Sequence, residues 1–129
     1  MKIGLDYGGV MDNNPESWIN VVQCLIDKGH KVYLLSHAHP GKDHEKRYAF
    51  CFASGAIDLS FSDIMNENDI AKRKAQLVKE HNIELVVEDY MNRCITIHNE
   101  NPLCGFICIH YSQQELTRKL LDGLTTQYA

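Results

Sequence analysis

Three short apolar runs in this sequence end in polar side chains capable of chemistry. KIGLDY (residues 2–7) carries Asp6 at its tip, and KVYLLS (31–36) ends in Ser36 with His37 directly after it. ELVVED (84–89) closes on the acidic pair Glu88 and Asp89, with Lys74 upstream in KAQLVKEHN. In an open parallel sheet, ligands bind beyond the carboxyl ends of the strands, near the point where strand order reverses. A polar residue at one strand tip is also what any strand leaving the core looks like. Two tips bearing carboxylates, a third bearing a hydroxyl and a lysine between them read together as a ligand site.

The elements that must position these groups follow from the spacing of apolar residues. The three runs, a weaker AIDLSF (56–61) and CGFICIHY (104–111) are expected strands. Four of the five are nearly continuous in apolar residues rather than alternating, the pattern of strands covered on both faces. Between them lie helical patterns. Asn14 is placed to cap a helix that begins at Pro15 and stops at Gly29. Residues 42–54, 69–81 and a shorter 91–99 follow, and Ser112 with Glu115 forms an S-x-x-E capping box before a last helix. The order β-α-β-α-β-α-β-α-β-α predicts a three-layer α/β/α sandwich around a Rossmann-like, mostly parallel five-stranded sheet. No repeat, low-complexity tract or linker divides the chain, so residues 1–129 are expected to form a single domain.

In this order the motifs resemble those of the haloacid dehalogenase-like (HAD) hydrolase superfamily, mostly magnesium-dependent phosphatases. That family's first motif is an apolar strand ending in D-x-D-x-(T/V). IGLDYGGVMD matches it at Asp6 and Val10, and VYLLS matches the second motif at Ser36. Lys74, with Lys72 in reserve, fits the lysine before strand four, and Glu88 and Asp89 fit the closing acidic pair. The likeness spans residues 2 to about 111. It implies that Asp6 attacks phosphorus to form an aspartyl-phosphate and that Asp6, Asp89 and the Gly8 carbonyl hold Mg2+. Ser36 would then hydrogen-bond a phosphoryl oxygen, with His37 beside it lining the substrate pocket. Lys74 would pair with the nucleophile and the transferring group, and Glu88 would stand behind them, orienting Lys74.

Gly8 departs from the family pattern, because it stands where the second aspartate is expected. That aspartate protonates the leaving oxygen, help worth roughly 10²–10⁴ in rate. Three readings follow. The leaving group needs no proton, as in an acyl phosphate, a phosphonate or a halide; or His37, His39 or Tyr7 serves instead; or the chain keeps the fold and binds a phosphorylated ligand or a protein without turning it over. The double glycine itself suits a tight turn after the strand.

Other features narrow the field. The net charge of −4 over 129 residues lacks the basic stripe of a nucleic-acid binder. No stretch reaches the ~18 apolar residues of a membrane span. No secretory leader pattern is visible, and five cysteines in mostly apolar runs read as core thiols of a cytoplasmic protein. His37, His39 and His44 fall within eight residues, a spacing open to a transition metal but better read as a solvated loop entering a helix capped near Asp43. Trp18, Tyr48, Phe50 and Phe52 are expected to pack on the sheet. Neither G-x-x-x-x-G-K-(S/T) nor G-x-G-x-x-G occurs. Residues 7–14 and 62–68 leave no room for the cap domain common in the family, so the site is expected to be open, or covered by a second copy of the chain.

Overall fold

The computed structural model of the chain describes residues 1–63, 66–109 and 119. Its elements are β1 (Lys2–Leu5), α1 (Pro15–Asp27), β2 (Lys31–Leu34), α2 (Lys42–Ser54), β3 (Ile57–Asp58), α3 (Glu67–His81), β4 (Leu85–Glu88), α4 (Met91–Glu100) and β5 (Gly105–Cys108). The expected helix after Ser112, with its capping box, lies outside the described residues.

The five strands form one parallel sheet in the order β3-β2-β1-β4-β5. The chain runs outward from β1 through β2 to β3, then returns to lay β4 against the free side of β1. Strand order therefore reverses between β1 and β4, where Ile3 stands beside Leu85 and Leu5 beside Val87.

Local chemistry sets the helix ends. Asn14 accepts a hydrogen bond from the Ser17 N–H at the start of α1, with Pro15 in the first turn. Asn66 caps α3 through the Asn68 N–H, two residues earlier than the apolar spacing suggests. The N-cap of α2 is Gly41, without a side-chain bond. Asp43 instead sits in the first turn, where it accepts from the His39 N–H.

Each sheet face has its own core. Ile3, Leu5, Val32 and Leu34 pack with Trp18, Val22, Leu25 and Phe50 from α1 and α2. Tyr33, Leu35 and Val86 pack with Ala75, Val78 and Ile97 from α3 and α4. Each fully buried aliphatic side chain here contributes about 1.5–3 kcal/mol. Helices thus cover both faces of the sheet, giving the three-layer Rossmann-like sandwich that the sequence pattern predicts.

Two expectations fail at the margins. Among the described residues β5 lies at the sheet's edge, paired with β4 alone, and Phe106 and Ile107 are exposed rather than covered on both faces. In α2 the buried face is Arg47, Phe50, Cys51 and Ser54, while Tyr48 and Phe52 face outward. Residues 48, 50 and 52 cannot share one face of a helix that turns every 3.6 residues.

All five cysteines are free. Burial raises the Cys94 and Cys104 thiols and pushes Cys51 up to about 12, so these three are inert core groups. Among the described residues, no helix is long and apolar enough to cross a membrane.

Candidate functional site

The reversal between β1 and β4 brings the two acidic strand tips together. Asp6 follows the last residue of β1, and its N–H donates to the Val87 carbonyl, extending the ladder. Glu88 ends β4 and Asp89 follows it. Carboxylate oxygens of Asp6, Glu88 and Asp89 all lie within 4.8 Å of one another. After Asp6 the chain turns sharply: the Tyr7 carbonyl accepts from the Val10 and Met11 N–H groups, and Gly9 adopts φ +75°. A Cβ on Gly9 would fall 1.9 Å from Asp89 Oδ2, so this glycine leaves the space that the Asp89 carboxylate fills.

Two cations enter from the helices. Lys74, fully buried on α3, places Nζ 2.5 Å from Glu88 Oε2 and 3.3 Å from Asp6 Oδ1. Lys72 is exposed on the opposite side of the helix, so of the two lysines it is Lys74 that meets the carboxylates. Arg93 on α4 grips Glu67 at 2.6 and 3.1 Å, and its NH1 nitrogen lies 3.4 Å from Glu88 Oε1 and 3.9 Å from Asp6 Oδ2.

Charge bookkeeping leaves this corner acidic. Burial, then the neighbouring Glu88 charge, pushes the Asp6 carboxyl up to about 7 even though Lys74 and Arg93 pull the other way. For Lys74, burial alone would lower the ammonium, but Asp6 and Glu88 outweigh it and hold the group charged. The hydrogen bonds from Arg93 lower the Glu67 carboxyl. Around the two strand tips, Asp6, Glu67, Glu88 and Asp89 thus face Lys74 and Arg93, an excess of acid that suits a divalent ion with oxygen ligands. The donor set fits Mg2+. Asp6 and Asp89 are the carboxylates with oxygens to offer, whereas Glu88 is already engaged by Lys74, Arg93 and the Asp89 N–H.

A cavity of about 410 Å³ opens over these groups, lined by Asp6, Gly8, His37, His39, Asp43, Arg47, Glu67, Asp89, Tyr90 and Arg93. Gly8 and His37 are therefore at the site with Asp6 and Asp89. Lys74 and Glu88 lie beneath it, in contact with Asp6 or Asp89 rather than with the cavity. A separate cavity of about 350 Å³, lined by Ile83, Glu84 and Pro102 among others, lies at the opposite end of β4.

Ser36 sits differently from the family pattern. It is fully buried and does not line the cavity. Its hydroxyl accepts from Arg47 Nε at 2.9 Å and donates to the His37 carbonyl at 3.4 Å. His37 and His39 stack edge-to-face, 5.8 Å between ring centres, and neither belongs to the carboxylate cluster.

Arg47 and Arg93 are the site residues that sequence reasoning missed. The signal was present. Arg47 shares the i, i+3, i+4, i+7 stripe of α2 with Phe50, Cys51 and Ser54, and Arg93 stands one turn before buried Ile97 in α4. An arginine in a helix's apolar stripe must have its charge met by something inside the fold.

No family model matches the chain, and no curated protein does. Among solved structures it is similar to an uncharacterized protein from Corynebacterium glutamicum ATCC 13032, with a TM-score of 0.57 and 15% identity, over 95% of this chain and 94% of that one. At that identity the likeness extends to the fold.

Proposed function

We propose that this chain is a HAD-like hydrolase that acts on a phosphoryl compound through Asp6, with Mg2+ held by Asp6 and Asp89. The observation that carries the reading is the meeting of these two carboxylates at the β1/β4 reversal, with Asp6 pinned from beneath by Lys74. Bound there, Mg2+ would return Asp6 to its charged form and cancel negative charge on the incoming phosphoryl group. Lys74 and the Tyr7 N–H, which donates to Asp6 Oδ1 at 2.9 Å, orient the nucleophile. A free Asp6 oxygen attacks phosphorus, the bond from phosphorus to the leaving oxygen breaks with its electron pair, and water then releases phosphate from the aspartyl-phosphate.

Gly8 supports a substrate whose leaving group departs as a stable anion. An acyl phosphate expels a carboxylate, which needs no proton, so the missing acid would cost little. Acetyl phosphate hydrolysis with Mg2+, compared with p-nitrophenyl phosphate and a simple alkyl phosphate, tests this. The expected result is turnover of acetyl phosphate that Asp6→Asn abolishes and EDTA stops. Failure on a broad phosphate panel would sink the enzyme reading.

A second reading is favoured by one feature. Arg93 already stands near Asp6 and Glu88, so the carboxylates are partly neutralised without an ion. A domain that binds a phosphorylated ligand without turning it over would show a rise in melting temperature with phosphate but no product.

A further inference from the structure

Three cations surround the site, Lys74 and Arg47 buried and Arg93 partly so, and their charges are not equally engaged. Lys74 is consumed by Glu88 and Asp6, and Arg93 by Glu67 in bidentate fashion with Glu88 and Asp6 beyond. Arg47 is different. Its side chain is 6% exposed, yet among the described residues its one ion pair is with Asp43, 3.6 Å away, whose side chain is 42% exposed. The remaining contacts are neutral: the Ser36 hydroxyl, the Asp43 carbonyl at 3.0 Å, the His37 carbonyl at 3.3 Å and the Tyr7 ring, whose centre is 4.8 Å from the guanidinium carbon. Burying a charge against neutral partners is costly unless an opposite charge completes it. The guanidinium also borders open space. Arg47 lines both the cavity above Asp6 and an adjoining one of about 340 Å³, with Gly8 in the wall of each.

We propose that Arg47 is the oxyanion anchor of the site, donating to a phosphoryl oxygen of the substrate, and that Ser36 is a positioning residue that holds Arg47 rather than a direct ligand of the phosphoryl group. The proposal rests on the phosphoryl reading of the site. It follows from the hydroxyl's geometry, since one Ser36 lone pair is taken by Arg47 Nε and its proton is given to the His37 carbonyl. A guanidinium has five N–H groups, three of which are engaged here through Nε, NH1 and NH2, leaving donors on both terminal nitrogens. The planar fork matches phosphate oxygens better than a hydroxyl does. Gly8 has a part in this. A Cβ there would lie 3.7 Å from Arg47 NH2, so an aspartate at this position would sit beside the guanidinium and compete with the substrate for it. On this account the glycine keeps the anchor's charge available.

The test is calorimetric titration of inorganic phosphate into the protein with and without Mg2+, with circular dichroism checking the fold of every variant. Arg47→Met is expected to weaken phosphate binding about tenfold or more. Ser36→Ala should weaken it less, Ser36→Thr should restore it, and Ser36→Ala added to Arg47→Met should cost nothing further. Gly8→Asp, whose carboxylate would compete for the Arg47 guanidinium, should also weaken binding and serves if Arg47→Met does not fold. Unchanged affinity in folded Arg47→Met and in Gly8→Asp, with binding still lost in Asp6→Asn, would overturn the anchor while sparing the Asp6 reading. Loss in Arg47→Met with no effect of EDTA or Asp89→Asn would uphold the anchor and remove the metal reading. No phosphate binding by the unaltered protein would overturn both.

Discussion

The Asp89 carboxylate occupies the place where a side chain on Gly9 would begin: a Cβ there would meet Oδ2 at 1.9 Å. The two residues come from loops at the ends of different strands, and their fit constrains where the Asp89 carboxylate can stand beside Asp6.

Gly9→Ala is therefore expected to act twice. The φ of +75° strains any L side chain, costing about 1–2 kcal/mol, and the methyl group forces Asp89 out of place. The variant should melt lower than the unaltered protein, and its melting temperature should no longer rise with Mg2+. A normal Mg2+ response would show that Asp89 is not a ligand.

Lys74→Met should destabilise strongly, by about 3–5 kcal/mol, because it leaves the buried Glu88 and Asp6 carboxylates without their shared counter-ion. Lys72→Met, two residues away on the exposed side of the same helix, should change stability by less than about 0.5 kcal/mol. Urea unfolding of both variants checks the contrast.

In EDTA, Asp6 makes stability depend on pH in a definite direction. Its carboxyl titrates near 7 in the folded chain, against an ordinary value of 3.8. A raised folded value means that the folded state holds its proton more tightly. Its contribution is full below 3.8 and is lost as pH rises through 7. Between pH 5 and 8 the unaltered protein should lose on the order of 2 kcal/mol relative to Asp6→Asn, which cannot ionise there. Paired thermal melts across that range read the difference. The opposite slope would mean that Lys74 and Arg93 outweigh burial.

What the sequence made legible was the strand framework and the acids at its tips. Continuous apolar runs ending in Asp6, Ser36 and Glu88 announce a parallel sheet and its ligand end, because a strand buried on both faces admits polar residues only where it leaves the core. The cations were harder to read. Lys74, Arg47 and Arg93 each stand in a helix's apolar stripe, where charge becomes intelligible only once the facing strand tip is known. Lys74 was found through a motif, whereas Arg47 lay within KDHEKR, which reads as a solvated helix start. The role expected of Ser36 also depended on a partner across the loop that spacing does not reveal. The fold of Tyr48 and Phe52 outward was legible from helical period alone.

The pairing of β1 with β4 has a consequence for biogenesis. Asp6 and Asp89 lie 83 residues apart in the chain, so their carboxylates meet only once the fourth strand has docked on the first. A fragment ending before Leu85 would keep β1, β2 and their helices yet lack the acid opposite Asp6. On the proposed metal reading, divalent-ion affinity would report that this long-range closure is complete.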